Sequence, residues 1–228
     1  MPDTVKIYIG TDPNMGKAEL ALEHSIRKHC SSPLEIIWMD YSRGGIWEGW
    51  DIGREHGIPY SNKGWATDFT CFRFAIPEAC GFEGRAIYLD VDMILLDDIT
   101  KLFELPLEKP ARITPFGYDV ILFDCAAFKD KLWWPTIDRM KANRWRRADY
   151  EYLLEQHDFV SKDLPDEWDC RDGKGFDPDK TALVHYTNMR TQPWKPYPDI
   201  FEYPPHPNQD MVDLFWKEYE EAKEKQGS

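Results

Sequence analysis

"RAIYLDVDMILLDDI", residues 85–99, decides how this chain is read. Ala86, Ile87, Tyr88 and Leu89 form an apolar run that ends in Asp90. Val91 and Asp92 follow, then Met93 to Leu96, then a second acidic pair, Asp97 and Asp98. The run predicts a buried strand over 85–92. Side chains alternate along a strand, so Asp90 and Asp92 point the same way while Val91 packs opposite. Two carboxylates held together at the end of a buried strand repel one another and lose hydration. A divalent cation relieves both costs. Oxygen donors favour Mg²⁺ or Mn²⁺, ions that also hold phosphate oxygens. The plainer alternative is one Asp capping the next turn and the other solvated. Asp97 and Asp98 read as the start of a helix, where the dipole favours negative charge.

The surrounding pattern places that strand in an α/β sheet. "VKIYIG" (5–10) is a first strand, followed by the polar loop "TDPNMG". Residues 17–30 read as a helix with Ala18, Leu22, Ile26 and Cys30 on one face. "PLEIIWMD" (33–40) is a second strand, so the chain opens as a parallel βαβ unit. Residues 41–66 form a long Gly-rich loop, and 67–81 reads as a helix capped by Thr67 or Asp68, with Pro77 as a kink. "ARITPF" and "DVILFDCAAF" give two more strands, and 129–157 is mostly helical. Residues 164–180 are turn-rich, "TALVHYT" is a last strand, and 208–225 is an amphipathic helix with a solvated Glu/Lys face. Ligands of open α/β sheets sit at the carboxyl ends of strands, where the Asp-x-Asp lies.

The 228 residues suffice for one well-buried α/β domain, and no linker or repeat divides them. The net charge of −13 argues against nucleic acid or an anionic membrane as partner. The five cysteines are scattered and without a Cys-x-x-Cys pair. They read as reduced thiols in a cytoplasmic protein rather than as disulfides or a zinc site. No apolar run approaches a membrane span, and the N-terminus does not read as a signal peptide. A homo-oligomeric arrangement is left open. Ten tryptophans are many for this length. Trp47, Trp50 and Trp65, in the long loop, read either as stacking platforms for ring-shaped ligands or as a lid packed on the core.

Three segments carry a family resemblance. "FRFAIPEACGFEGRAIYLDVDMILLDDITKLF" (72–103) resembles the pattern R-x-x-I-P-E, short loop, Y-L-D-x-D-x-x-x-x-x-D-I of the retaining glycosyltransferases of family eight, the group that includes glycogenin and lipopolysaccharide galactosyltransferases. "LVHYTNMRTQPWKP" (183–196) resembles that family's H-F-x-G-x-x-K-P-W, and "LPDEWD" (164–169) its L-P-x-x-W-N. The resemblance implies a GT-A fold, a Rossmann-like single domain with a mixed, mostly parallel central sheet flanked by helices. It also implies transfer of a hexose from a nucleoside diphosphate sugar, a UDP-sugar in the first instance, to a carbohydrate or other hydroxyl acceptor. Mn²⁺ or Mg²⁺ is the implied cofactor, with Asp90, Asp92 and His185 as its ligands and Asp90 also touching the ribose. Thr11 and Asp12 are implied to meet base and ribose, and Arg73 to lie near the donor phosphates or sugar.

The departures from the pattern are specific. Gln192 stands where the family has the lysine that neutralises the leaving diphosphate, and a neutral amide cannot replace that charge. Arg190 and Lys195 are the neighbouring cations that could supply it. "GYDVILF" (117–123) replaces an N-x-G strand motif, with Asp119 in the place of its amide at the donor sugar. Asp149 is the nearest counterpart of an acidic acceptor residue.

Two other readings compete. The replaced lysine and N-x-G motif suit a non-catalytic sugar-nucleotide-binding protein on a degenerate transferase fold. A phosphatase of the haloacid-dehalogenase type also uses Asp-x-Asp after an apolar strand. That type carries it on the first strand, followed by Gly and Thr or Val, whereas here a middle strand is followed by Met93 and Ile94.

Overall fold

A computed structural model describes residues 3–50, 52, 57–60, 65–142 and 145–227. The chain opens with β1 (Val5–Gly10), α1 (Gly16–Lys28) and β2 (Leu34–Met39), the parallel βαβ unit expected. Then come α2 (Ile76–Ala79), β3 (Arg85–Asp90), β4 (Met93–Leu95) and α3 (Ile99–Glu104). β5 (Ala111–Thr114), β6 (Gly117–Asp124), α4 (Ile137–Ala142) and α5 (Arg147–Gln156) follow. The chain ends with β7 (Val160–Ser161), β8 (Cys170–Arg171), β9 (Leu183–His185) and α6 (Gln209–Gln226). The main sheet has the order β2-β1-β3-β6-β5-β7. Its β2–β1, β1–β3 and β5–β7 pairs are parallel, and β3–β6 and β6–β5 antiparallel. A second sheet, β4-β9-β8, leaves the first just past Asp90.

β1 and β3 sit in the middle of the main sheet and are buried almost throughout, as near-continuous Val/Ile/Leu/Tyr runs require. Gly10 closes β1 beside Asp90. A Cβ there would stand 2.6 Å from the Phe69 ring and 3.0 Å from the Tyr88 hydroxyl. We expect Gly10→Ala to lower stability by roughly 1–3 kcal/mol, read as a drop in the urea midpoint at unchanged slope.

Four expectations need correction. Residues 67–81 are not one helix. Turns lead into a 3₁₀ segment, Phe72–Ala75, and then α2, because Thr67 and Thr70 bond each other (2.6 Å) and Pro77 starts α2 instead of kinking a longer helix. The strand over 85–92 stops at Asp90, bends at 91–92 and resumes as β4 in the second sheet. The stacking role of the loop tryptophans fails. Trp47, Trp50 and Trp65 are all buried, with Trp47 and Trp50 against Phe72 and Trp65 against Phe74 and Tyr150. Finally, the Glu/Lys face of α6 is not all solvated: Glu218 is buried and bonds His24 (2.9 Å) and Lys28 (2.8 Å) of α1. The α3 start is as expected, with Asp98 accepting from the Thr100 amide at 2.9 Å. No helix among the described residues is long and apolar enough to cross a membrane.

Candidate functional site

The carboxyl ends of the central strands converge on a cavity of about 210 Å³. Three registers assemble it. β3 against β6 sets Leu89 opposite Val120, which brings Asp119 to Asp90. β4 against β9 sets Met93 opposite His185, and the Tyr186 amide donates to the Asp92 carbonyl at 2.9 Å. This pairing carries His185 from the far end of the chain to the Asp-x-Asp. β8 beside β9 sets Arg171 next to His185 and delivers Asp169 with it.

The side chains form one charged network. Arg73, fully buried, donates to Asp90 (2.9 Å), to Asp119 (3.0 Å) and to the Tyr118 carbonyl. The Tyr88 hydroxyl also donates to Asp90. Arg171 bonds Asp119 (2.8 Å) and Asp169 (3.0 Å) while keeping part of its guanidinium on the cavity. His185 meets Asp169 through Nδ1 (2.8 Å) and Asp92 through Nε2 (3.4 Å). With Nδ1–H donated to the fully buried Asp169, the Nε2 lone pair faces the Asp-x-Asp. This carboxylate–histidine arrangement presets a metal ligand.

Charge decides what the network lacks. Four carboxylates, Asp90, Asp92, Asp119 and Asp169, face two guanidiniums, Arg73 and Arg171. With His185 neutral the cluster is two charges short. The titration behaviour agrees. Burial pushes Asp90 up to about 7, with Asp119 and Asp92 adding repulsion that Arg73 only partly offsets. Burial would raise Asp119 as well, but Arg73, His185 and Arg171 hold it down at about 2. Burial alone would strip the proton from His185, yet Asp92 and Asp169 outweigh it and raise its pKa. Without another cation the imidazole is the group that takes up the missing charge.

The donor set fits a divalent cation. Ligand atoms of Asp90, Asp119 and His185 all lie within 4.8 Å of one another, and Asp92 Oδ1 stands 3.4 Å from His185 Nε2. Asp92 Oδ1 is buried with only the long contact to His185 Nε2, and Gln192 Oε1 is buried without a hydrogen-bond partner. Carboxylate oxygens with one imidazole suit Mn²⁺ or Mg²⁺ rather than a thiolate-seeking metal. Asp119 thus joins Asp90, Asp92 and His185 as a candidate ligand.

The remaining sequence candidates divide. Gln192 is buried and donates to Asp92 Oδ2 and to the Tyr186 carbonyl, each at 2.8 Å, so it holds the Asp-x-Asp from behind rather than facing the cavity. Thr11 and Asp12 are buried at the end of β1 with internal partners: Thr11 bonds Glu19 (2.6 Å), and Asp12 accepts from the Asn14 amide (2.8 Å) and Tyr197 (2.5 Å). Arg190 is exposed, its guanidinium 5.3 Å from the centre of the Phe201 ring. Lys195 is exposed with a left-handed backbone, φ 51°. Asp149 is not brought to the cavity: its carboxylate caps α5 through the Arg146 amide (2.8 Å) and guanidinium (3.2 Å).

Asp169, Arg171 and Arg147 were not singled out by sequence, although Arg147 and Arg171 line the cavity. The available signals were Asp169 as the last residue of "LPDEWD" and its spacing from Arg171, two residues apart and hence on one side of an extended segment. We expect Asp169→Asn to weaken Mn²⁺ binding about 10- to 100-fold, measured by calorimetry, because His185 loses the group that fixes its tautomer.

Comparison with known proteins follows this geometry. No family model matches the chain. "Protein CDI" of Arabidopsis thaliana is 34% identical over 109 residues, 46% of this chain and 38% of that protein. Among solved structures, the bifunctional glycosyltransferase WbbM superposes with a TM-score of 0.64 at 13% identity, covering all of this chain (100%) and 52% of that one. The apo glycosyltransferase GlyE of Streptococcus pneumoniae TIGR4 gives 0.61 at 18% identity, covering 95% and 60%. The galactosyltransferase LgtC, solved with donor and acceptor sugar analogs, gives 0.58 at 12% identity, covering 93% and 96%. The chain thus spans little more than a third of its Arabidopsis relative and between half and two thirds of WbbM and GlyE. The architecture these superpositions define is the GT-A fold, with its mixed, mostly parallel sheet flanked by helices.

Proposed function

We propose that this chain is a metal-dependent, retaining glycosyltransferase of the family-eight kind that moves a hexose from a UDP-sugar to a carbohydrate or other hydroxyl acceptor. The observation that carries the reading is the excess of carboxylates over guanidiniums at the strand ends, in a cavity bordered by Asp90, Asp92, Asp119 and His185. Asp90, Asp92 and His185 hold Mn²⁺ or Mg²⁺, with Asp119 within reach and Asp169 fixing the imidazole. The bound cation supplies positive charge to the departing diphosphate. Arg73 keeps Asp90 and Asp119 together and opposes the protonation that burial favours at Asp90. Arg171, with an exposed edge on the cavity, takes over the charge that the family lysine gives and Gln192 cannot. Asp119 and Arg147 border the space for the donor sugar. The acceptor hydroxyl attacks the face from which the diphosphate leaves, through an oxocarbenium-like state, and no carboxylate is assigned as a covalent nucleophile.

The phosphatase reading is weakened by Asp90 itself. Arg73 and Tyr88 both donate to its Oδ1, and the Asp-x-Asp ends β3, a later strand, where the phosphatase type carries it on the first. The test is a panel of UDP- and GDP-sugars incubated with purified protein and Mn²⁺. Hydrolysis of at least one sugar nucleotide, abolished by EDTA, is expected. Neither hydrolysis nor UDP binding would overturn the reading. Binding without turnover across a broad acceptor panel would instead favour the non-catalytic protein.

A further inference from the structure

A group of cations gathers at one edge of the cavity, about the turn between β5 and β6 and the first residues of β6. The Arg171 guanidinium stands 5.1 Å from the centre of the Phe116 ring, and Lys174 Nζ 4.4 Å from it. The Lys174 amide donates to the Arg171 carbonyl at 2.9 Å, which keeps the two side by side. The Arg147 guanidinium stands 5.9 Å from the centre of the Tyr118 ring. Gly117, between those two aromatic residues, has φ 145°, and a Cβ there would come within 3.0 Å of Arg147 Nη2. We propose that this cationic rim binds an acidic group, phosphate or carboxylate, on the acceptor whose hydroxyl is glycosylated. The inference rests on the glycosyltransferase reading above and adds an acceptor class to it.

The rim has more donors than acceptors. Arg147 bonds Glu151 through Nε at 2.5 Å, and its two Nη groups meet no acceptor among the described residues. Arg171 bonds Asp169 and Asp119 through Nε and Nη2, which leaves Nη1 without an acceptor among the described residues. Lys174 is exposed, and its Nζ has the Phe116 ring but no carboxylate among the described residues. The carboxylates close by are already engaged. Glu151 is held by Arg147, Asp119 by Arg73 and Arg171, and Asp169 by Arg171, His185 and Thr114. A cation lying over a ring is kept in place while its remaining N–H groups stay open to an anion. Arginine edges and a lysine match the oxygens of a phosphate or carboxylate. On a chain of net charge −13, three cations about one turn make a local positive field that draws an anionic ligand to this side of the cavity.

Position assigns the anion to the acceptor rather than to the donor. The donor diphosphate belongs with Asp90, Asp92 and His185, which line the cavity. Arg147 and Arg171 line it as well, whereas Lys174 stands outside it over Phe116. The rim therefore runs from solvent to the place of reaction, along the side where a molecule arriving after the donor meets it.

The test is calorimetry on the wild-type chain saturated with UDP and Mn²⁺, titrated at low ionic strength with glucose 6-phosphate, glucuronate and glucose. At least one of the two anions is expected to bind roughly tenfold or more tightly than glucose, and the tighter of them names the acidic group. Added salt should weaken it. Lys174→Glu is expected to weaken the anion about tenfold or more, and Arg147→Gln by a similar factor. The same charge change at Lys101 of α3, which pairs with Asp97, should leave it unchanged. Anions that bind no better than glucose overturn the proposal. So does an anion that binds only when UDP is left out, since the rim would then be part of the diphosphate site, or a loss in Lys101→Glu equal to that in Lys174→Glu. Binding of UDP and Mn²⁺ without any anion binding contradicts the rim alone, whereas failure of UDP and Mn²⁺ to bind overturns the glycosyltransferase reading and the rim with it. The wild-type titration decides the matter even where a variant folds poorly.

Discussion

Asp92→Asn is expected to cut metal-dependent turnover on the order of a thousandfold while leaving the fold in place. The first effect follows from the charge shortfall. Removing a carboxylate from the cation's own shell forfeits several kcal/mol of charge stabilisation at the departing diphosphate, and each 1.36 kcal/mol is a factor of ten in rate. The second follows from the local bonds. Asp92 accepts from Gln192 Nε2 at 2.8 Å through one oxygen, and an asparagine carbonyl can keep that bond. Its other oxygen makes only the long 3.4 Å contact with His185 Nε2, and His185 keeps its shorter bond to Asp169. Steady-state kinetics with Mn²⁺, alongside a denaturant titration, separates the two. A comparable loss of stability and activity would mean that Asp92 is a structural residue.

Arg73→Met is expected to do the opposite, costing about 3–5 kcal/mol of stability, because it strands Asp90 without its cation and leaves Asp119 with Arg171 alone. For a chain of this size that is roughly 6–20 °C in melting temperature. The guanidinium is fully buried and donates to both carboxylates and to the Tyr118 carbonyl, so no solvent can take its place. Adding Asp119→Asn should recover part of the loss, since one of the carboxylates that repel Asp90 is then neutral, and a double-mutant cycle reads the coupling. Additive losses would show that Arg73 acts through packing rather than through charge.

Local patterns carried much of the architecture. The apolar runs of β1 and β3, the helix between β1 and β2, and Asp98 at the start of α3 are written in neighbouring residues. The Asp-x-Asp was legible because two carboxylates at a strand end conflict with burial. What was not legible depends on register. Nothing near Met93 says that it pairs with His185, and a two-residue strand such as β8 has no periodicity by which Asp169 and Arg171 could be found. Inside and outside were left open or misjudged where partners lie far away in sequence. Trp47, Trp50 and Trp65 pack on Phe72, Phe74 and Tyr150, and Glu218 is buried by His24 and Lys28. The missing lysine looked like a gap in phosphate binding. In the fold, Gln192 has turned inward to hold Asp92, and Arg171 presents its charge from another strand.

The most direct measurement is thermal unfolding of the wild-type chain with UDP, with Mn²⁺, and with both. If Asp90, Asp92 and His185 hold a cation that in turn holds a diphosphate, each ligand alone shifts the transition little. Both together, at about a hundred times their dissociation constants, add roughly 2.7 kcal/mol, or about 5–10 °C. The same shift should be absent in Asp92→Asn. A shift with UDP that is unchanged by EDTA, or no shift under any combination, would contradict the metal–diphosphate site.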